Sequence, residues 1–342
     1  MKVIQHSVET LQTALFSNCQ DLAKLYKEYT QEERQLLEEG LHPGQPGSIF
    51  HPLTLHSDSD WISAHPEEPQ NFESFYRDPK RKIPSATHNT IYIQAIGSFG
   101  KAGAQTDQYV EWLREYCQAF FYGLSLKLLP AVTVAETGCS FRVNSNSHNL
   151  QILTGDLLQF LRKKKPKDAF CIVGITMIDL YPEDFWNFVF GQASLNFGMG
   201  VFSFARYDDS FYSRSYAGRL GKSLQPKQGD YSLFDGYYTP PISIILLIKT
   251  LNNIGHMFGI RHCQWLNCVM QGSNHLEESD RRPLDFCPIC LRKLQVAIGF
   301  KIAERYQASP CQSVPSFPKP TESFHTSRLW LRRCLDILRE KT

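Results

Sequence analysis

The residues that carry the most specific pattern are Asn252-Asn253-Ile254-Gly255-His256-Met257-Phe258-Gly259-Ile260-Arg261-His262-Cys263. The apolar pattern from Ile242 to Phe258 predicts a helix, and Gly259 is placed to end it. His256 therefore lies in the last part of this helix, and His262 follows three residues after the glycine. A glycine at that point lets the chain reverse, so the second imidazole can return towards the first.

This spacing matches part of the pattern HExxHxxGxxH, which binds zinc in metzincin peptidases. Two histidines four residues apart lie on one face of a helix, and the third ligand comes from beyond the glycine turn. The fourth coordination position stays open for a water, whose proton the glutamate takes. His256, Gly259 and His262 occupy three positions of the pattern, whereas Asn252 and Asn253 stand where it has its first histidine and its glutamate.

Four of the ten cysteines follow closely, as Cys263 and Cys268 and then Cys287 and Cys290. The other six are scattered singly along the chain. Paired cysteines at C-x4-C and C-x2-C spacing in a reducing compartment favour a structural zinc site. The alternative is a set of buried thiols that pack as small apolar side chains.

The block from Gly255 to Leu294 resembles the archaemetzincin family of zinc peptidases. The resemblance rests on the four cysteines behind His262, on Cys263-Gln264-Trp265, and on Gln271-Gly272-Ser273-Asn274-His275-Leu276-Glu277-Glu278. It implies that Cys263, Cys268, Cys287 and Cys290 hold a structural zinc. It also implies that His256 and His262 are ligands of a catalytic-type zinc and that Met270 is the methionine of the turn. The first histidine and the glutamate of the family have no counterpart in this chain, because Asn252 and Asn253 occupy their positions.

The two asparagines predict a loss of catalysis. Asn252 offers a neutral amide oxygen on a short side chain, a poorer zinc ligand than imidazole. Asn253 has no basic group near neutral pH, and loss of a general base typically lowers a rate by about 10² to 10⁴. We therefore expect a pseudoenzyme with impaired or no activity. No spacing ties the nearby candidate replacements to the metal: Asp208, Asp209, Asp235, His275, Glu277 and Glu278.

A second hypothesis, in which the histidines bind no metal, stays open. Two neutral imidazoles make a poor chelate for zinc. His256 and His262 would then be held by hydrogen bonds in a cleft that has lost its metal, and the domain would bind peptides or act as a scaffold without cleaving them.

Strand-like and helical segments alternate from Thr90 onward, which predicts an α+β (mixed α/β) layer structure. The resemblance to archaemetzincins implies that it is a metzincin-like zinc peptidase domain with an active-site helix and a four-cysteine structural zinc. We predict three parts: a helical and proline-rich N-terminal extension over 1–88, the peptidase domain over 89–308, and a linker with a C-terminal helix over 309–342. The predicted elements are strands at Ile91–Phe99, Lys127–Val134, Ala169–Asp179 and Gly198–Ala205, and helices at Gln108–Phe121, Asn149–Arg162, Pro288–Tyr306 and Ser327–Arg339.

The charge balance gives no indication of a nucleic-acid or membrane partner. The chain has 36 Lys plus Arg against 34 Asp plus Glu, a net charge of +2. The basic run from Arg162 to Lys167 is interpreted as a solvated helix end, with a nuclear-targeting or nucleic-acid patch as the alternative. The residues from Met1 to Gln20 contain no continuous apolar segment, so no secretory signal is predicted. We expect an intracellular, cytoplasmic protein, with the nucleus as the other possibility, that acts on peptides or proteins. The sequence does not indicate an oligomeric state.

Overall fold

The computed structural model describes residues 1–99, 104–221, 226–236, 252, 254–309 and 322–339. The chain forms two compact units. The first unit contains Met1–Ile83, Ala119–Gly123 and Phe258–Thr342, and the second contains Pro84–Gln118 and Leu124–Met257. The division into an extension, a peptidase domain and a C-terminal part stays a prediction.

The elements are numbered in chain order over the described residues. The strands are β1 (Lys2–Ile4), β2 (Leu53–Leu55), β3 (Thr90–Ile96), β4 (Ser125–Val132), β5 (Phe141–Val143), β6 (Leu150–Leu153), β7 (Ala169–Thr176), β8 (Asp179–Tyr181), β9 (Gly191–Ser194) and β10 (Met199–Ser203). The helices are α1 (Val8–Phe16), α2 (Gln20–Lys27), α3 (Gln31–Glu38), α4 (Trp61–Ala64), α5 (Phe72–Tyr76), α6 (Ala104–Phe120), α7 (Val134–Thr137), α8 (Thr154–Lys164), α9 (Leu276–Asp280), α10 (Pro288–Ile298), α11 (Ile302–Gln307) and α12 (Glu322–Arg339).

The second unit is built on a five-stranded sheet of order β4-β3-β7-β10-β9. Its first four strands are parallel, and β9 is antiparallel to β10 at the edge. The middle strand β7 is buried along its whole length, as expected for an apolar strand of a parallel sheet. A smaller sheet of order β5-β6-β8 lies in the same unit. This alternation of strands and helices confirms the α+β prediction.

The predicted helix Asn149–Arg162 is wrong in its first part. Residues Leu150–Leu153 form strand β6, which pairs with β5 and β8, and the helix begins only at Thr154. Pairing on both sides of β6 outweighs the local helical spacing of its apolar residues. The four predicted strands are confirmed, each boundary within three residues, and Ala169–Asp179 ends as a strand at Thr176.

The first unit is mainly helical, and a buried arginine joins three of its helices. Arg292 of α10 is fully buried. Its guanidinium carbon lies 3.6 Å from the ring centroid of Phe72 and 4.9 Å from that of Tyr26. Its Nη2 also donates to the carbonyl of Leu22 at 3.1 Å. Ring faces and a carbonyl thus replace the water that a buried cation loses, and α10 is fixed against α2 and α5.

The predicted helix Pro288–Tyr306 is also wrong, because it is two helices. Gly299 follows α10 with φ of +88°, in the left-handed region, and donates its N–H to the carbonyl of Gln295 at 2.7 Å. A glycine in this conformation ends a helix, so α11 starts anew at Ile302. The C-terminal helix begins earlier than predicted, at Glu322. In the described part of the chain, no helix is long and apolar enough to cross a membrane.

Candidate metal centres

Four cysteine side chains converge where a loop of the first unit meets the start of α10. Cys263 and Cys268 lie in the loop that follows the glycine turn, whereas Cys287 is the N-cap of α10 and Cys290 lies in its first turn. Pro288 occupies the first helical position, where its missing N–H has no intrahelical partner to lose. The fold therefore brings the two cysteine pairs of the sequence into one cluster.

The geometry of this cluster fits a structural zinc site. All four residues are buried, and their Sγ atoms lie within 4.8 Å of one another. The Sγ atoms of Cys263 and Cys287 are 3.6 Å apart, whereas sulfurs around a tetrahedral zinc are about 3.8 Å apart. The backbone N–H groups of Cys287 and Met270 donate to Sγ of Cys268 at 3.3 and 3.4 Å, which stabilises a thiolate there.

Ionisation within the cluster is uneven. Burial raises the pKa of the Cys268 and Cys287 thiols well above the ordinary value. Hydrogen bonds from Cys268, Cys287 and Cys290 lower the pKa of Cys263. Zinc binds cysteine as the thiolate, so filling this site releases protons and is favoured as the pH rises.

His262 contacts two residues of one segment, Glu67 at its Nδ1 atom and Trp61 at its ring. Both belong to residues 56–70, here called the strap. Nδ1 of His262 lies 2.9 Å from Oε1 of Glu67, and the indole Nε1 of Trp61 donates to the same oxygen at 2.7 Å. The Trp61 and His262 rings meet edge to face, with centroids 4.9 Å apart. Histidines that bind zinc through one nitrogen are usually oriented by a carboxylate or carbonyl on the other, so His262 fits a zinc ligand that binds through Nε2.

Gln70, at the end of the strap, holds the turn that carries His262. Its Nε2 donates to the Gly259 carbonyl at 2.9 Å, and its Oε1 accepts the backbone N–H of Arg261 at 3.0 Å. The Gln70 carbonyl accepts from the indole of Trp265 at 2.9 Å. Gly259 has φ of +85°, a conformation that glycine adopts without steric penalty. The predicted end of the helix at this glycine is therefore present, whereas the approach of His262 to His256 stays a prediction.

The other end of the strap is fixed by a group of charged residues. The carboxylate of Asp60 accepts from Nη2 of Arg281 at 2.9 Å and contacts Nε2 of His275 at 3.1 Å. The backbone N–H of Trp61 donates to Glu278 at 2.8 Å. Asp60, His275 and Glu278 also lie close enough together to hold a cation. Their bonds to Arg281 and Trp61 account for their positions without one.

The other predicted site residues belong to the second unit. His256 is half-buried in the helical residues 254–257, and Asn252 is helical and 9% exposed. The Met257 methyl carbon lies so close to Gly200 of β10 that a Cβ on that glycine would overlap it, so this helix end packs on the sheet. Asn253 and most of the predicted helix Ile242–Phe258 lie outside the described residues. The roles assigned to Asn252, Asn253 and His256 stay predictions.

The strap is the part of the site that the sequence does not reveal. Prolines predict an irregular segment between His42 and His88, and they give no role to any residue within it. The contact between Glu67 and His262 spans 195 positions, and no motif rule connects two residues so far apart. The available signal is a tryptophan and a glutamate among prolines in a long loop, a kind of segment that is often functional.

Comparisons of the sequence with known proteins support the family that the motif resembles. The model of peptidase family M54 matches residues 234–296. Archaemetzincin-2 of Pongo abelii and archaemetzincin-2 of Homo sapiens are each 52% identical over 99% of this chain and 100% of their own length. A crystal structure of archaemetzincin from Methanopyrus kandleri is 24% identical, covers 64% of this chain and 100% of that chain, and has a TM-score of 0.41.

The chain therefore belongs to the archaemetzincin family, peptidase family M54. The resemblance of the block from Gly255 to Leu294 to this family is confirmed, and the similarity to archaemetzincin-2 extends over 99% of this chain. The four-cysteine cluster of this chain fits a structural zinc site.

Proposed function

We propose that this chain has the zinc peptidase fold of its family but hydrolyses peptide bonds poorly or not at all. The observation that carries the proposal is the pair Asn252-Asn253 in front of His256 and His262 at otherwise matching spacing. Its ligands would be peptides or proteins inside the cell, in the cytoplasm or the nucleus. The near-neutral charge gives no reason to add a nucleic acid or a membrane.

Each candidate residue has a defined part in this proposal. Cys263, Cys268, Cys287 and Cys290 would hold a structural zinc that ties the loop to α10. His256 and His262 would hold a second zinc, which supplies a polarised water for attack on a peptide carbonyl when it is bound.

The two asparagines account for the loss. Asn253 has no atom that accepts a proton near neutral pH, so a water in the site keeps its proton. Asn252 replaces an imidazole by an amide oxygen, which weakens metal occupancy. Both changes lower the rate, and their effects multiply.

A second candidate function is a non-catalytic one, in which the same cleft binds peptides or serves as a scaffold. It is supported by the contacts around His262, because Glu67, Trp61 and Gln70 hold this residue and its turn. Such contacts would preserve a binding cleft after catalysis is lost.

Zinc content per chain tests the number of sites. We expect one zinc per purified chain after mild dialysis, bound by the four cysteines, and loss of that zinc on Cys268→Ala. Two zinc ions per chain would mean that the histidine site is also filled. The proposal that Asn252 weakens zinc binding there would then be wrong.

Peptide hydrolysis with added zinc tests catalysis. We expect no turnover above background for the natural chain and measurable turnover for the double variant Asn252→His with Asn253→Glu. The matched control is the same double variant with His256→Ala, which should be inactive. Clear, zinc-dependent turnover by the natural chain would contradict the proposed impairment.

A further inference from the structure

We propose that Glu67 is a positioning residue for His262, which sets the tautomer and direction of this imidazole so that Nε2 is the nitrogen that would bind a metal. The inference rests on the proposed function for the role of His262 and assigns a part of the site to the strap. Glu67 lies far outside the stretch matched by the family model, residues 234–296.

The hydrogen position follows from the chemistry of the pair. An ionised carboxylate has acceptors only, so at 2.9 Å from Oε1 of Glu67 the Nδ1 atom of His262 carries the hydrogen and donates it. The neutral imidazole then has its acceptor lone pair on Nε2. Histidine in water prefers the other tautomer, with the hydrogen on Nε2, and that form cannot bind a metal through Nε2 without first losing this proton. Glu67 thus selects the form of His262 that is ready to bind.

The carboxylate is itself held in place. The indole of Trp61 donates to Oε1 of Glu67, and the side chain of Gln264 donates to the Glu67 carbonyl at 2.8 Å. Trp61 also packs on Gly272, where any Cβ would overlap its ring. Trp61 therefore holds the side chain of Glu67, and Gln264 holds its backbone. Trp61 itself packs on Gly272, in the same loop that carries His262.

This geometry also shows what Glu67 does not do. It bonds the Nδ1 side of the ring, so a metal held by Nε2 would lie on the opposite side. The ring would then separate the carboxylate from the metal, and we do not expect Glu67 to replace the general base that Asn253 lacks. Its effect is exerted through His262.

The test uses the full-length protein with its cysteine-bound zinc, labelled with ¹⁵N in histidine. At about pH 8 an ordinary imidazole is neutral, and ¹H–¹⁵N correlations report which ring nitrogen carries the hydrogen. The His262 signals are assigned by their loss in His262→Gln. We expect the Nδ1–H form in the natural chain and the Nε2–H form in Glu67→Ala. Glu67→Gln, whose amide oxygen also accepts, should retain the Nδ1–H form, and so should the exposed neighbour control Glu68→Ala.

Zinc affinity is the second readout. In a competition with a chelator, Glu67→Ala should weaken the second zinc by about 10- to 100-fold and leave the cysteine-bound zinc unchanged. Glu68→Ala should change neither. An unchanged His262 tautomer in Glu67→Ala would overturn the inference, as would equal affinities in Glu67→Ala and Glu68→Ala. The affinity of the second site is measured with zinc added beyond the one ion per chain that survives dialysis. If the natural chain takes up no second zinc even then, the proposed second site fails, and the tautomer result alone decides the role of Glu67.

Discussion

The side chain of Gln70 bonds the turn at Gly259, donating to its carbonyl at 2.9 Å while accepting the N–H of Arg261. Gln70 is 4% exposed, and its Oε1 also lies 3.2 Å from Nζ of the buried Lys293. One amide therefore satisfies two backbone groups and an ammonium that no solvent reaches. The turn that carries His262 depends on a residue of the strap.

Gln70→Ala should destabilise the first unit by about 2 to 4 kcal/mol, because it leaves buried polar groups and a buried charge without this partner. Urea unfolding monitored by tryptophan fluorescence measures the loss. Gln45→Ala, at an exposed glutamine, is the control and should change the free energy of unfolding by less than about 0.5 kcal/mol. Equal effects of the two variants would show that the turn at Gly259 is stable without the side chain of Gln70.

Cys268→Ala should remove the structural zinc and lower stability by about 3 kcal/mol or more, since the binding free energy of such a metal contributes to folding. Elemental analysis and thermal unfolding measure the two effects together. Cys139→Ala replaces a buried cysteine outside the cluster, so it should retain the zinc and cost about 1 kcal/mol. The assignment of zinc to the four cysteines is wrong if Cys268→Ala retains its metal.

Acid should weaken the attachment of the strap through Asp60. Burial raises the pKa of Asp60, but the N–H of His56 and the charge of Arg281 lower it more, so the pKa lies below its ordinary value. A carboxyl with a lower pKa in the folded chain stabilises that chain above about pH 4, and this contribution is lost as the pH falls through the folded pKa.

Asp60→Asn should therefore be less stable than the natural chain at about pH 6, with a difference of about 1 to 3 kcal/mol that shrinks towards about pH 3. Urea unfolding across this pH series gives both curves. Asp58→Asn, at an exposed neighbour, should follow the natural chain throughout. A difference that stays constant with pH would mean that the Asp60 charge does not contribute.

The sequence predicts the parts of this molecule that depend on local spacing. The apolar run of β7 predicts a buried strand, and the two cysteine pairs predict a metal cluster, each from a few neighbouring residues. Both predictions agree with the structure. The division of Asn149–Arg162 into strand and helix depends on pairing with β5 and β8, which no local pattern contains. The same is true of Glu67, because its partner His262 is brought near by folding of the whole first unit.

Trp61 and Gly272 provide the sharpest steric test of the strap. A Cβ on Gly272 would overlap the Trp61 ring, and the backbone N–H of Trp61 is bonded to Glu278, so the indole has little freedom to move away. Gly272→Ala should therefore displace Trp61 from His262 and cost about 1 to 3 kcal/mol. Trp61 fluorescence in a chain with its other tryptophans replaced by phenylalanine reports the displacement.

Gly155→Ala is the matched control for this test. Gly155 lies in the first turn of α8 with open space around the Cβ position. An alanine there should be neutral or should stabilise the helix by up to about 1 kcal/mol. If Gly272→Ala behaved like Gly155→Ala in both stability and fluorescence, the packing of Trp61 on Gly272 would not fix the position of the indole. The strap would then hold His262 through Glu67 and Gln70 without help from the indole.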